Sequence, residues 1–253
     1  MIEKLIADLH SHTLASTHAY STIYENTLTA REKGLKILAM TDHGPQLADS
    51  ADILHFKNSV KAIPDTVNGV IVLKGMEANF LPGGKTDCPP RVYRSLDLVL
   101  CGFHRGAMES QDRDANTDIV LKAIQSGSID VVAHPGDPNY PKDLEAIVRC
   151  AAEYGVAIEI NAASGAGSRV GSNEFCLETA RLCKKYHTTV SVGSDSHFMS
   201  NIGNLRHAID IINEAGIPEE LIINTSVSRT LDFALHRGHP HVETYFRYLE
   251  NQL

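Results

Sequence analysis

The residues most able to do chemistry in this chain fall in a pattern. His10 and His12 stand two apart in Ala-Asp-Leu-His-Ser-His, and Asp195 and His197 stand two apart in Val-Gly-Ser-Asp-Ser-His. On a β-strand, residues two apart project from the same side, and Asp8 shares that phase with His10 and His12. His18 follows in the next loop, His43 in Thr-Asp-His, Glu77 in Gly-Met-Glu-Ala-Asn, His104 in Gly-Phe-His and His134 in Ala-His-Pro-Gly. Taken singly, each is at home as a hydrogen-bonded strand-end or loop residue. Taken together they form a set of imidazoles and carboxylates with no thiolate. That set suits Zn, Mn, Fe or Ni better than Ca or Mg, which prefer all-oxygen shells. At roughly four ligands per zinc-like ion, nine such groups exceed one ion and fit two or three.

The elements that would position these groups follow from the apolar runs. Leu5–Leu9, Lys36–Met40, Val70–Lys74, Leu96–Gly102, Ile129–Ala133, Val156–Ile160 and Thr189–Gly193 are short, rich in Val, Ile and Leu, and without polar alternation. Such runs suit strands buried on both faces of a parallel sheet. Between them lie helical patterns. One has Pro141 in its first turn, Leu144, Ile147, Val148 and Ala151 at helical spacing, and Gly155 as a stop. A second runs from about Asn116 to Gly127. A third carries Leu205, Ala208, Ile209 and Ile212 and ends at Gly216. Leu221–Ile223 suggests a further short strand, followed by a helix from about Ser228. Six or seven β-α units imply a parallel α/β sheet, open or closed into a barrel, and no linker or charge block divides residues 1–253 into two domains. Metal-type residues follow six of the seven runs, always at the C-terminal end, and parallel architecture gathers those ends on one face.

With 253 residues, 43% hydrophobic and 21% charged, the composition is that of an ordinary globular protein. A formal net charge of −8 counts against a surface built for long nucleic acid, which needs clustered cations. Five scattered cysteines, with Cys176 and Cys183 seven apart beside Ala180, read as small hydrophobes on buried faces rather than a disulfide or zinc-ribbon framework. The opening residues show no secretory pattern, and no stretch approaches the roughly 18 apolar residues of a bilayer span. The expectation is a cytoplasmic protein with no membrane partner. His55, His187, His207, His236, His239 and His241 do not follow strand ends and read as surface or structural residues.

Several motifs together resemble one family. Asp8-Leu9-His10-Ser11-His12, His18, Thr41-Asp42-His43, Gly75-Met76-Glu77-Ala78-Asn79, Gly102-Phe103-His104, Ala133-His134-Pro135-Gly136 and Gly193-Ser194-Asp195-Ser196-His197 are similar, in order, to the PHP (polymerase and histidinol phosphatase) superfamily. Ala15–Ser21 and Ala115-Asn116-Thr117 resemble its YcdX-type phosphatase branch. The resemblance implies a distorted seven-stranded, TIM-like β/α barrel with three divalent ions, commonly zinc with manganese or iron as alternatives, at its C-terminal face. Carried over by motif, His10, His12 and Asp195 would hold one ion with Glu77. Glu77 would bridge to a second held by His104 and His134, and His18, His43 and His197 would hold the third. A trimeric assembly is implied only weakly.

The chemistry expected of such a site is phosphoester hydrolysis of a small phosphorylated substrate. Three divalent ions beside two carboxylates leave about +4 of local charge, enough to attract phosphate to an acidic protein and to acidify water. A metal-bound hydroxide attacking phosphorus is the expected step. Asp8 and Asp42 either orient histidine ligands or cap strand ends and turns. Arg169, in Ser-Gly-Ala-Gly-Ser-Arg-Val-Gly, either clamps a phosphate oxygen or is a solvated loop residue. That glycine string misses the dinucleotide fingerprint, since Gly165 and Gly167 are followed by Gly171, one place late. Asn161, after the sixth run, is a further residue that can face the site. Two alternatives stay open: a phosphodiesterase or nuclease acting on nucleotides or short oligonucleotides, and a non-catalytic metal-binding module.

Overall fold

Seven strands, formed largely by the aliphatic runs, pair in parallel in a computed structural model that describes residues 1–48 and 50–250. They are β1 Ala7–Asp8, β2 Ile37–Met40, β3 Val70–Leu81, β4 Leu98–Gly102, β5 Val131–Val132, β6 Ala157–Asn161 and β7 Val190–Gly193. Their order around the sheet is their order along the chain. The two ends approach one another: Leu9 N–H donates to Val192 O at 3.1 Å, Asp195 N–H to His10 O at 2.8 Å and His12 N–H to Ser196 O at 2.9 Å. The sheet is therefore a nearly closed barrel, as the α/β pattern and the family resemblance predict.

Both faces of the strands are buried, which explains the missing polar alternation. Leu98 and Leu100 of β4 pack inward with Ala7, Ile37, Ile71, Leu73 and Val131, whereas Val99 and Cys101 pack outward under the helices. The inner cluster is shut at the N-terminal end of the barrel by Val242 and Tyr245, both 0% exposed. The helices α1 Ile23–Glu32, α2 Ile53–Ala62, α3 Arg113–Gln125, α4 Leu144–Tyr154, α5 Asn173–Tyr186, α6 Arg206–Ala215 and α7 Val227–His236 form the outer layer. Their ends are chemically marked. Thr22 and Glu25 form a capping box, Asp52, Asp112 and Asp143 cap with their side chains, and Gly155 and Gly216 stop α4 and α6 in the left-handed conformation.

Four features differ from the sequence reading. Pro141 lies two residues before the Asp143 cap, outside the first turn of α4, because the aspartate side chain supplies the stronger start signal. Leu221–Ile223 does not form a strand: it lies in 3₁₀ turns, with Ile222 making a single parallel bridge to Val190. Between β3 and β4 the helix is a single turn, Pro90–Tyr93, preceded by a 3₁₀ turn at Pro82–Gly84 and the short strand Lys85–Thr86, which pairs antiparallel with the end of β3. β3 continues seven residues past its apolar run to Leu81, carrying Glu77 and Asn79 within the strand. All five cysteines are buried and unpaired. No helix among the described residues is long and apolar enough to cross a membrane.

Candidate metal centre

All nine side chains singled out in the sequence converge at the C-terminal end of the barrel, around Glu77. Its Oε1 lies 2.8 Å from His134 Nε2 and 3.0 Å from His104 Nε2. Its Oε2 lies 2.8 Å from His43 Nδ1, 3.3 Å from His10 Nε2 and 3.5 Å from His12 Nε2. Asp195 Oδ1 is 3.2 Å from His12 Nε2 and 3.6 Å from both His10 Nε2 and His197 Nδ1. His18 closes the group from the solvent side, its Nε2 3.2 Å from His43 Nε2 and its ring 4.7 Å from that of His197. His43 thus lies between the Glu77 carboxylate and the outer His18–His197 pair.

The imidazoles are held with their metal-competent nitrogens inward. His10 Nδ1–H donates to Glu159 Oε1 at 2.7 Å and His104 Nδ1–H to Asn79 Oδ1 at 2.8 Å. His197 Nδ1–H donates to the Asp195 carbonyl at 2.9 Å. The Ser16 hydroxyl gives its proton to Asp42 Oδ1 at 2.8 Å, so it accepts from His12 Nδ1–H at 3.1 Å and from the His43 backbone N–H at 3.0 Å. An acceptor on Nδ1 fixes the tautomer and leaves a lone pair on Nε2.

Sequence reasoning missed Glu159, although the signal is in β6: a carboxylate inside the buried strand Ala-Ile-Glu-Ile-Asn. Its second oxygen accepts from the His134 N–H at 2.8 Å and from Asn161 Nδ2 at 3.1 Å. Asn79 was missed too, two residues beyond Glu77 on the same strand face. Asn161 faces the site and also donates to Asp195 Oδ2 at 3.2 Å.

The other three candidates occupy different places. Asp42 is buried and reaches His12 and His43 through Ser16, while also accepting from Thr13 N–H at 2.7 Å and Thr13 Oγ1 at 2.8 Å. Asp8 touches no imidazole. Its carboxylate accepts from the backbone N–H groups of Ser194 at 2.9 Å, Gly203 at 2.8 Å and His10 at 3.4 Å, bracing the seam where β1 meets the β7 loop. Arg169 is not solvated: its Nη1 donates to Asp195 Oδ2 at 2.6 Å, with the side chain only 14% exposed.

Backbone and glycines are shaped to this cluster. His134 and Asp195 both have positive φ, 31° and 52°, a costly conformation for residues with a Cβ that tends to persist at functional sites. Gly102 passes under the imidazoles, where a Cβ would lie 2.6 Å from His134 Cε1 and 3.2 Å from His104 Cε1.

The charge states suit cation binding. Burial pushes the Glu77 carboxyl up, yet the surrounding His104, His10 and His43 outweigh it and hold Glu77 well below the usual range. Asp195 is likewise buried and likewise held down, by Arg169 and His10. Burial and the neighbouring His43 lower His12 to about 3 and His18 to about 4, so both imidazoles are neutral at physiological pH. His10 is the exception: burial lowers it, but Glu159, Glu77 and Asp195 outweigh burial and raise it, so a divalent ion would have to displace its Nε2 proton. A buried polar atom without a partner costs on the order of 1–3 kcal/mol. Five lie together here without hydrogen-bond partners: His10 Nε2, His12 Nε2, His43 Nδ1, Glu77 Oε2 and Asp195 Oδ1. Three triplets, His10/His12/Glu77, His43/Glu77/His104 and His12/His43/His197, each present their atoms within 4.8 Å of one another. These residues fit divalent metal ions. Above them opens a cavity of about 690 Å³, walled by His18, His43, His104, His197 and Arg169 on the cluster side and by Leu47, Phe103, Arg105 and Tyr140 beyond.

Fold and site thus define a nearly closed parallel β/α barrel with a carboxylate–imidazole cluster able to hold metal ions at its C-terminal strand ends. The PHP domain family model matches residues 8–163, and the chain belongs to the PHP family. Curated relatives agree over nearly the full length. A protein of Edwardsiella ictaluri named "Probable phosphatase" is 43% identical over 234 residues, covering 92% of this chain and 95% of that one. Another of that name from Syntrophotalea carbinolica is 44% identical, covering 91% and 96%. Among solved structures, a histidinol phosphate phosphatase of Lactococcus lactis, complexed with Zn, L-histidinol and phosphate, shares the fold with a TM-score of 0.60. It is 15% identical, with 85% of this chain and 95% of that one covered.

Proposed function

We propose that the chain is a metal-dependent phosphomonoesterase, a single metallohydrolase domain over residues 1–253. His10, His12, His18, His43, Glu77, His104, His134, Asp195 and His197 would hold three divalent ions, zinc by preference. The observation that carries the reading is the convergence of five partnerless, buried ligand atoms on one point. Bound there, divalent ions would supply positive charge to phosphoryl oxygens and lower the pKa of water toward neutrality.

The chain's own residues have separate tasks. Glu159, Asn79 and the Asp42–Ser16 pair accept the Nδ1 protons and so aim Nε2 of His10, His104 and His12 into the centre. Arg169 neutralises and orients Asp195 while lining the cavity, which places a permanent cation where a phosphate oxygen would enter. The relatives named "Probable phosphatase" and the histidinol phosphate phosphatase fold support phosphate ester hydrolysis. A small phosphorylated molecule suits a cavity of this size better than a long nucleic acid suits a chain of net charge −8.

The test is hydrolysis of p-nitrophenyl phosphate against bis(p-nitrophenyl) phosphate, before and after chelation. Monoester turnover that vanishes with chelator and returns with zinc or manganese is the expected result. Preference for the diester, or turnover indifferent to chelation, would refute the proposal.

A further inference from the structure

The cavity above the cluster is far larger than a phosphoryl group needs. Its volume of about 690 Å³ falls within the ~300–1,000 Å³ typical of pockets for whole organic ligands. The half away from the imidazoles combines apolar and aromatic surface from Leu47, Phe103 and Tyr140 with the polar groups of Arg105, Asp137 and Asn139. Phe103 and Tyr140 lie nearly parallel, 7° apart with centroids at 4.8 Å, and the Tyr140 hydroxyl donates to Met108 O at 2.8 Å. The pair is fixed in place, with the phenol's only donor already used.

Arg105 follows His104 directly, so its backbone is anchored to a residue of the cluster. Ala107 and Met108 N–H both donate to His104 O at 3.2 Å, and Gly106 takes φ +98°, which turns the chain sharply there. Its side chain lines the same cavity as the imidazoles. The two arginines of the cavity differ in one respect. Arg169 is ion-paired with Asp195, whereas Arg105 makes no hydrogen bond or ion pair with any described residue. The acid of the cavity wall, Asp137, forms no ion pair with Arg105 and turns one carboxylate oxygen to its own loop. Its Oδ1 accepts from the Asn139 backbone N–H at 2.9 Å and side-chain amide at 2.8 Å, and Lys142 Nζ sits 3.2 Å from its carbonyl.

We propose that the leaving group of the substrate carries a second oxyanion, a carboxylate or a further phosphate, which Arg105 binds across the cavity while the Phe103–Tyr140 wall packs against its organic body. The inference rests on the phosphomonoesterase reading and deepens it: the substrate is a phosphomonoester with two separated anionic groups, and Arg105 is its specificity-determining residue. A planar guanidinium matches either oxyanion bidentately, and lysine would not reproduce that geometry.

The test compares phenyl phosphate, 3-carboxyphenyl phosphate and 1,3-phenylene bisphosphate with the metal-loaded wild-type protein, R105Q and R105K. Binding of the matching non-hydrolysable phosphonates is measured by calorimetry alongside. The wild type is expected to prefer one or both doubly anionic substrates over phenyl phosphate by tenfold or more in kcat/KM. That ratio should fall about tenfold in R105Q and be only partly kept in R105K, with the phosphonate affinities moving in parallel. The carboxylate and phosphate arms show which oxyanion is read. Hydrolysis of all three without preference, or an equal loss on all three in R105Q, overturns the proposal and leaves the phosphomonoesterase reading standing. Failure to hydrolyse any of them removes both.

Discussion

Replacing Gly102 by alanine perturbs the centre without deleting a single ligand. Gly102 is not among the positive-φ glycines, so alanine meets no backbone penalty there and the whole effect is steric. The new methyl would stand 2.6 Å from His134 Cε1, where ordinary contact begins at 3.4 Å. The His134 ring must therefore retreat by about 0.8 Å, in a protein interior that accommodates such overpacking at roughly 1–3 kcal/mol. The same methyl would stand 2.9 Å from His134 Nε2, the atom now 2.8 Å from Glu77 Oε1, so a shift of the ring disturbs that contact, and the His134 backbone already sits at φ 31°. Misplacement of about 1 Å in a catalytic constellation costs on the order of 10²-fold in rate. We therefore expect G102A to fold, to lose roughly a hundredfold in phosphatase kcat, and to release the metal shared by Glu77, His104 and His134 more readily than the others. Metal stoichiometry under graded chelation, kcat on p-nitrophenyl phosphate and a urea melt measure the three effects. Wild-type rate and metal content in a folded G102A would show that His104 and His134 take no part in the centre.

Two further predictions concern residues outside the nine. Glu159→Gln keeps shape but puts an amide N–H toward either His10 or the His134 N–H, where only acceptors fit. Metal affinity should fall about 10–100-fold with the melt little changed, and unchanged affinity by competition with a chromogenic chelator would contradict it. At the opposite end of the barrel, His239 is buried with Nε2 2.8 Å from Asp130 Oδ2. Burial lowers its pKa, but the Asp130 hydrogen bond and charge raise it above the ordinary 6.5. A raised folded pKa stabilises fully below 6.5 and is lost as pH climbs through the folded value. Urea-unfolding stability should therefore decline above about pH 6.5, and less steeply in His239→Gln; identical slopes would refute the assignment.

How much was legible in the sequence depended on the physical signal each part leaves. Strands buried on both faces leave a continuous apolar run, so all seven could be placed, although β1 and β5 pair over only two residues each. The helix stops at Gly155 and Gly216 were readable because only a left-handed residue ends a helix that way cheaply. Convergence of the nine side chains followed from parallel topology, which sends every C-terminal strand end to one face. What periodicity could not supply was pairing across the barrel. Asp8 and Asp42 sit in similar strand-end motifs, yet one braces backbone N–H groups and the other reaches an imidazole through Ser16. Glu159 was hidden for the same reason: its meaning depends on His10, 149 residues away. Leu221–Ile223 resembles a strand because three apolar residues do not distinguish a strand from the 3₁₀ turns Glu219–Leu221 and Ile223–Thr225.

The central claim is that nine side chains from remote parts of the chain jointly cage several divalent ions, and elemental analysis of the purified, dialysed protein addresses it most directly. Three equivalents of divalent metal per chain are predicted, zinc foremost, with Glu77→Ala losing most of them because one carboxylate serves both sides of the cluster. A wild-type protein that retains less than one equivalent after growth and purification with zinc and manganese supplied, or a Glu77→Ala protein with undiminished metal, would contradict the account.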